Sequence, residues 1–201
     1  MAGTGQAGSG RRAAAAGMLA FAVLMMAGGC ARAAETVERE SAPRSTSPSP
    51  SAAMRVVQPE TLTGIPESAS RRLREQAQQN TDNLKQFLDG EATSEVGSVY
   101  ALRDSSVTYL LSAVSGKVTD PKASLDKSFA DLPKLAGVKP SRPGPMGGEA
   151  RCGSGETEGV PVTVCMWADN DTIGMVAVLG MPGVSPSLFV RVRSQVQRAV
   201  A

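Results

Sequence analysis

Three cysteines and no histidine set the limits of the chemistry open to this 201-residue chain. A thiol acts as a nucleophile only once deprotonated, and nucleophilic serine and cysteine usually borrow their base from a histidine. Ser-His-Asp and Cys-His catalysis are therefore excluded together with histidine-based zinc sites. The cysteines fall into two groups: Cys30 closes an apolar N-terminal segment, and Cys152 and Cys165 lie close together near the far end. The first is placed for a membrane anchor and the other two for a disulfide. Acidic residues offer what chemistry remains. Glu156 and Glu158 could be paired for glycoside hydrolysis, which needs two carboxyl groups about 5 to 9.5 Å apart and one with a raised pKa, but they sit in a polar hairpin loop where exposure is expected. Asp169-Asn170-Asp171 beside Gly174 has a faint likeness to a calcium loop. Ile173 holds a ligand place, however, and Gly180 stands where the closing glutamate belongs, so a turn accounts for the segment better. Gly144, Gly147 and Gly148 lack the following lysine and the leading parallel strand of a phosphate loop. No cofactor and no metal site is expected.

The segment ahead of Cys30 has the layout of an export signal. Arg11 and Arg12 precede Ala13 to Gly29, which carries no charge and ends in small residues. It resembles a bacterial lipoprotein signal, in which a small-residue box leads to a cysteine that is lipidated and becomes the first residue after cleavage. The box here is Ala27-Gly28-Gly29-Cys30, with Ala27 where leucine is usual. An uncleaved span is the alternative, since Ala13 to Ala31 is just long enough to cross a bilayer and the two arginines would hold its N-terminus inside. An ordinary secretory signal is a third. All three place the rest of the chain outside the cytoplasm, anchored in the first two cases to the outer face of the cell membrane. Twin-arginine export is less well matched, because no bulky apolar pair follows Arg12. The formal charge of +2 equals the contribution of Arg11 and Arg12, leaving the remainder neutral, with no electrostatic case for nucleic acid. With Cys30 used for lipid, the even remainder in an oxidising compartment favours one bridge.

Three regions follow: residues 1–29 as the signal, 30–60 as a Ser/Pro-rich disordered tether, and 61–201 as one extracytoplasmic domain. The tether is too poor in hydrophobics to offset its ordering entropy. In the domain, Pro66-Glu67-Ser68 opens a helix with Leu73, Ala77, Leu84, Phe87 and Leu88 at near-helical spacing, ended by Gly90, while Arg71, Arg72 and Arg74 form a solvated face. Strands near Glu95 to Arg103 and Ser106 to Val114 follow, turning at Asp104-Ser105, with Leu102 opposite Val107 and Tyr100 opposite Tyr109 on a half-buried face. Asp120-Pro121 starts a short helix bearing Leu125, Phe129 and Leu132, which Pro133 ends. Pro133 to Gly148 reads as a long loop. Strands from Glu149 to Gly153, Val160 to Ala168 and Thr172 to Leu179 precede a last helix from Ser185, with Leu188, Val192, Val196 and Ala199 inward and Arg191, Arg193 and Arg198 in water. The fold class is α+β, in the order α-β-β-α-β-β-β-α, with an antiparallel sheet of about five strands and the helices mainly on one face.

If Asn170-Asp171 is a two-residue turn, one face of its hairpin pairs Val162 with Leu179, Val164 with Ala177, Met166 with Met175 and Ala168 with Ile173. The other face pairs Cys165 with Val176 and Trp167 with Gly174, an aromatic ring across a bare strand glycine. Cys152 can face Cys165 if Gly155 to Val160 closes their hairpin, and a bridge of this loop size is worth about 3 kcal/mol.

Cys152-Gly153, then Cys165-Met166-Trp167-Ala168-Asp169, then Thr172-Ile173-Gly174 resembles a group of uncharacterised actinobacterial proteins that are tethered to the membrane or secreted. Their shared pattern is Cys-Gly, Cys-x-Trp-x-Asp and a glycine-containing strand, and the resemblance runs from about Gly90 to the C-terminus. It implies the bridge, the α+β arrangement and an extracytoplasmic location, with Trp167, Asp169 and Gly174 as a structural motif, and it implies no activity. The expected function is a membrane-tethered module that binds an envelope component or a protein partner. A carboxylate-dependent cell-wall hydrolase and a structural or sensory accessory of a membrane protein are the alternatives.

Overall fold

The hairpin around Asn170-Asp171 lies at the centre of the main sheet. In the computed structural model, which describes residues 53–132 and 135–200, eight further strands and three α-helices are arranged around it. Asp169 N–H bonds to the Thr172 carbonyl at 2.9 Å, which closes a two-residue turn and sets the pairing of Ala168 with Ile173, Met166 with Met175 and Val162 with Leu179. This is the register that the turn alone predicts. The expected signal, Cys30 and most of the expected tether lie outside the described residues.

Before the hairpin come three short strands, β1 (Met54–Val56), β2 (Thr61–Leu62) and β3 (Ile65–Pro66), followed by α1 (Arg71–Leu84), β4 (Ser94–Ala101), β5 (Thr108–Ser115) and α2 (Pro121–Ala130). Next are β6 (Leu135–Pro140), β7 (Glu149–Thr157), β8 (Val160–Ala168), β9 (Thr172–Leu179), α3 (Pro186–Val196) and β10 (Gln197–Ala199). Strands β4 to β9 form one antiparallel sheet in the order β4-β5-β9-β8-β7-β6. The α+β class and antiparallel sheet agree with expectation, whereas the sheet has six strands rather than about five. The added strand, β6, lies inside the stretch expected to be a loop. It is an edge strand with a bulge between Ala136 and Lys139, where Gly137 takes φ 61°, and an edge is where Pro140 is tolerated. Proline and glycine, read as loop signals, mark an irregular edge.

The β7–β8 hairpin is also longer than expected. β7 continues through Gly153-Ser154-Gly155 to Thr157, because pairing on both sides with β6 and β8 overrides the weak strand preference of those residues. Glu158 (φ 52°) and Gly159 (φ 77°) then make the turn, both in the left-handed region that matches strand twist in tight hairpins. Tyr100 pairs with Tyr109 as expected, but Leu102 lies beyond the paired residues and is 51% exposed, so the half-buried face stops short of it.

The folded unit also starts earlier than residue 61. β1 pairs with β10, Val56 is buried, and its N–H donates to Ser115 Oγ at 2.6 Å. Met54, Val56 and Val57, with Arg55 turned to solvent, are enough to dock a segment whose surroundings read as tether. Pro66 lies in β3, and α1 begins five residues later behind Ser70.

Both faces of the sheet are covered. α1 lies over β4 and β5, and α2 lies over β7 and β8. Ala77, Thr81 and Leu84 are the buried residues of α1, and Ser112 Oγ donates to the Ala77 carbonyl at 2.8 Å, tying helix to sheet. Asp120 caps α2 by accepting from Ala123 N–H at 2.8 Å, and Leu125 and Phe129 are its apolar anchors. Pro133, expected to end this helix, falls outside the described residues. α3 lies on the opposite face, where Phe189, Val192 and Val196 pack with Tyr100, Cys165 and Trp167 and with Val56 and Leu62 of the N-terminal segment. Two helices thus share one face and the third takes the other. No helix among the described residues is long and apolar enough to cross a membrane.

Candidate functional site

Of the residues singled out by type and spacing, Cys152, Cys165, Trp167, Asp169 and Gly174 come together toward the Ala168 end of β8. Cys152 and Cys165 are paired across β7 and β8 and form a disulfide. Two residues along the same face of β8, Trp167 is fully buried and lies across Gly174, where an added Cβ would approach Trp167 Cζ2 to 2.2 Å. Phe189 of α3 packs on the ring with centroids 6.2 Å apart and planes at 54°, a tilted aromatic arrangement.

Asp169 is the hub of a buried polar network beside this block. Its Oδ1 accepts the turn N–H groups of Asp171 and Thr172 at 2.9 and 2.8 Å. Its Oδ2 accepts the Thr172 hydroxyl at 3.0 Å, Arg193 Nη2 at 2.7 Å and Gln197 Nε2 at 2.6 Å. The Thr172 hydroxyl in turn accepts Trp167 Nε1–H at 3.3 Å. Arg193, expected in water, is fully buried. Its Nη1 donates to the Pro143 and Gly147 carbonyls, both at 2.7 Å, and its Nε to Gln197 Oε1 at 2.8 Å. Burial lowers the guanidinium pKa and the Asp169 charge opposes that shift; starting so high, the group stays charged. Arg193 escaped sequence reading because it is polar. Its position was legible nonetheless, since 189, 192, 193 and 196 form the i, i+3, i+4, i+7 stripe of a buried helix face.

Every polar atom of this network has a partner, and no buried side-chain nitrogen or oxygen among the described residues lacks one. Trp167 lines none of the main cavities. The block is thus a clamp that joins the β8–β9 turn, α3 and the 143–147 loop. The Asp169 carboxylate is committed to the turn and to Arg193, and among the described residues no group of acidic or sulfur side chains is arranged to hold a metal ion.

An open site lies on the opposite face. α2 has ten residues and reaches only the Ala168 end of β8, where Leu125 and Phe129 pack with Met166 and Ala168. α1 lies toward β4 and β5. Between the two helices, the other end of the central strands is left as the floor of a cavity of about 480 Å³. The floor is Val162, Val164, Met175, Ala177 and Leu179, and the walls are Leu73 of α1 and the pair Leu132 and Leu135. Among the described residues the cavity's charged side chains, Arg72, Glu156 and Glu158, stand at the rim. There Arg72 of α1 faces Glu158 at the tip of the β7–β8 hairpin across 3.6 Å, with side-chain exposures of 83% and 79%, while Gln76, Asn80 and Glu156 complete the edge. Glu156 and Glu158 are both exposed, so neither has the dry surroundings that a general acid for glycoside cleavage requires. Volume and lining are those of a small-molecule site. Scans of the chain against protein-family models, curated proteins and solved structures return no match.

Proposed function

We propose that this protein is a non-catalytic extracytoplasmic module, tethered to the outer face of the cell membrane through lipid on Cys30 or an uncleaved signal, that binds an envelope component in the trough between α1 and α2. The observation that supports this reading is the trough itself, a largely apolar cavity of about 480 Å³ whose charged groups, among the described residues, stand at the rim. Its floor and walls offer burial and no reacting group, Glu156 and Glu158 at the rim are exposed, and Cys152, Cys165 and Asp169 are engaged in the bridge and the clamp on the far face. Export with an oxidised Cys152–Cys165 pair fits the same picture. Two measurements test it. Labelling with a palmitate analogue should mark the wild type and not Cys30→Ser; equal marking, together with a cytoplasmic location, sinks the tether. Protein purified from its native host should carry an envelope component by mass spectrometry. Ala177→Phe, which places a ring in the trough, should lose it. Retention of that component by a folded Ala177→Phe variant places binding elsewhere.

A further inference from the structure

We infer that the trough takes a single unbranched aliphatic chain, that of a fatty acid or a lysolipid, with its polar head at the Arg72–Glu158 mouth. This rests on the binding-module reading and narrows it to a ligand class. Three observations carry it.

The first is shape. The main cavity continues into a second of about 310 Å³ at the end of α1, and the two share Asn80, Leu132 and Met175. Together they run along one side of the helix from Arg72 to Gln86, a distance on the order of 20 Å at the helical rise per residue. The larger cavity is mainly apolar and the smaller is mixed, with Asn83, Gln86, Ser128 and Asp131 beside its apolar residues, so a linear ligand would lie with its chain on the floor of the larger one. A second copy of this chain would need about 800 Å² of surface on each partner, far more than the trough exposes.

The second is lining chemistry. The walls and floor of the larger cavity are leucine, valine, alanine and methionine, with no aromatic ring among them. Sugars and planar ligands favour aromatic platforms and fixed polar groups, whereas a flexible chain needs only apolar area and gains from the adaptability of methionine. No orphaned buried polar side chain among the described residues calls for a hydrogen-bonding ligand.

The third is the sheet. The floor belongs to β8 and β9, central strands whose edges are already paired on both sides. An extended peptide would therefore find no backbone partner and would lie in the trough with its own amides unsatisfied. An aliphatic chain carries none. At the mouth, the exposed Arg72–Glu158 pair is of the kind that contributes little in water, so Arg72 is free to exchange its partner for a carboxylate or phosphate head.

The test uses the full chain carrying Cys30→Ser, which removes the protein's own lipid as an occupant. Palmitate and palmitoyl-lysophosphatidylcholine, each below its micellar concentration, are titrated against bound cis-parinaric acid. The expected result is saturable one-to-one displacement, weakened at least tenfold in Ala177→Phe and in Val162→Trp, with hexanoate ineffective. Hydrogen exchange on the unmodified trough gives a second readout that does not depend on either variant folding: palmitate should protect α1 and the β7–β8 hairpin. Absence of displacement together with unchanged exchange overturns the aliphatic assignment. If soluble cell-wall glycan or peptide fragments then bind and the trough variants abolish that binding, the module reading stands with a different ligand. If folded trough variants alter no binding of any probe, both fail.

Discussion

Asp169 and Arg193 show how one side chain can decide whether a cluster is a site or a joint. The guanidinium is wholly buried and its carboxylate partner only 13% exposed. Asp169→Ala would strand a charge in the interior and leave Gln197 Nε2 and two turn N–H groups without their acceptor. Removing one partner of a buried pair typically costs about 3 to 5 kcal/mol, and urea unfolding of the variant should show a loss of this order, with Asp169→Asn losing less because it still accepts from the turn. Gly174 is subject to a different constraint, steric rather than electrostatic. Gly174→Val drives a branched side chain into the Trp167 ring, an overpacking that costs about 1 to 3 kcal/mol. Trp167 is the only tryptophan, so its emission should be blue-shifted in the native state and move to the red in this variant. A Gly174→Val protein with wild-type emission and wild-type melting would refute the stacking account.

At the scale of elements, hairpins were the most legible part of the sequence. Asn170-Asp171 sets a register that sorts every side chain of β8 and β9 to its observed face, since strand periodicity leaves no freedom once the turn is placed. The facing of Cys152 and Cys165 was legible on the same ground. Less legible were elements held by partners distant in sequence. β1 exists because β10 and Ser115 receive it, β6 because β7 offers an edge, and neither has the local preference to announce itself. The trough was illegible for a related reason: a gap between helices depends on where α1 and α2 sit on the sheet, and no pattern within either helix encodes that. The disulfide acts at this scale by fastening β7 to β8. In the chain-entropy account it stabilises by about 3 kcal/mol, so Cys152→Ala with Cys165→Ala should lower stability by roughly that amount. Far-UV circular dichroism should be unchanged and the ligand affinity of the trough retained, because the bridge lies on the clamp face. Loss of trough binding in a folded double variant would show that the two faces are coupled.

For the whole molecule, the folded unit begins before Thr61, inside the stretch expected to be tether. The N-terminal segment is seated on the clamp face by the β1–β10 pair, by buried Val56 and Leu62, and by the Tyr100 hydroxyl, which donates to the Pro59 carbonyl at 2.8 Å. Burial pushes the Tyr100 phenol up from 10.0 to about 12, with the nearby Glu67 charge acting in the same direction. A phenol raised in the folded state favours the native protein fully below its unfolded value, and that contribution is lost as pH rises from about 10 through about 12. A chain starting at Ala53 should therefore melt like the full chain, while one starting at Thr61 forfeits Val56, worth about 1.5 to 3 kcal/mol of burial, together with the strand pair. At about 2 to 4 °C per kcal/mol for a domain of this size, the shorter chain should melt at least several degrees lower. Its Tyr100 should titrate closer to the ordinary phenol value in an ultraviolet pH titration, where Tyr100→Phe identifies the late-ionising group among the two tyrosines. Equal melting of the two chains would show that residues 53–60 add nothing to the stability of the domain.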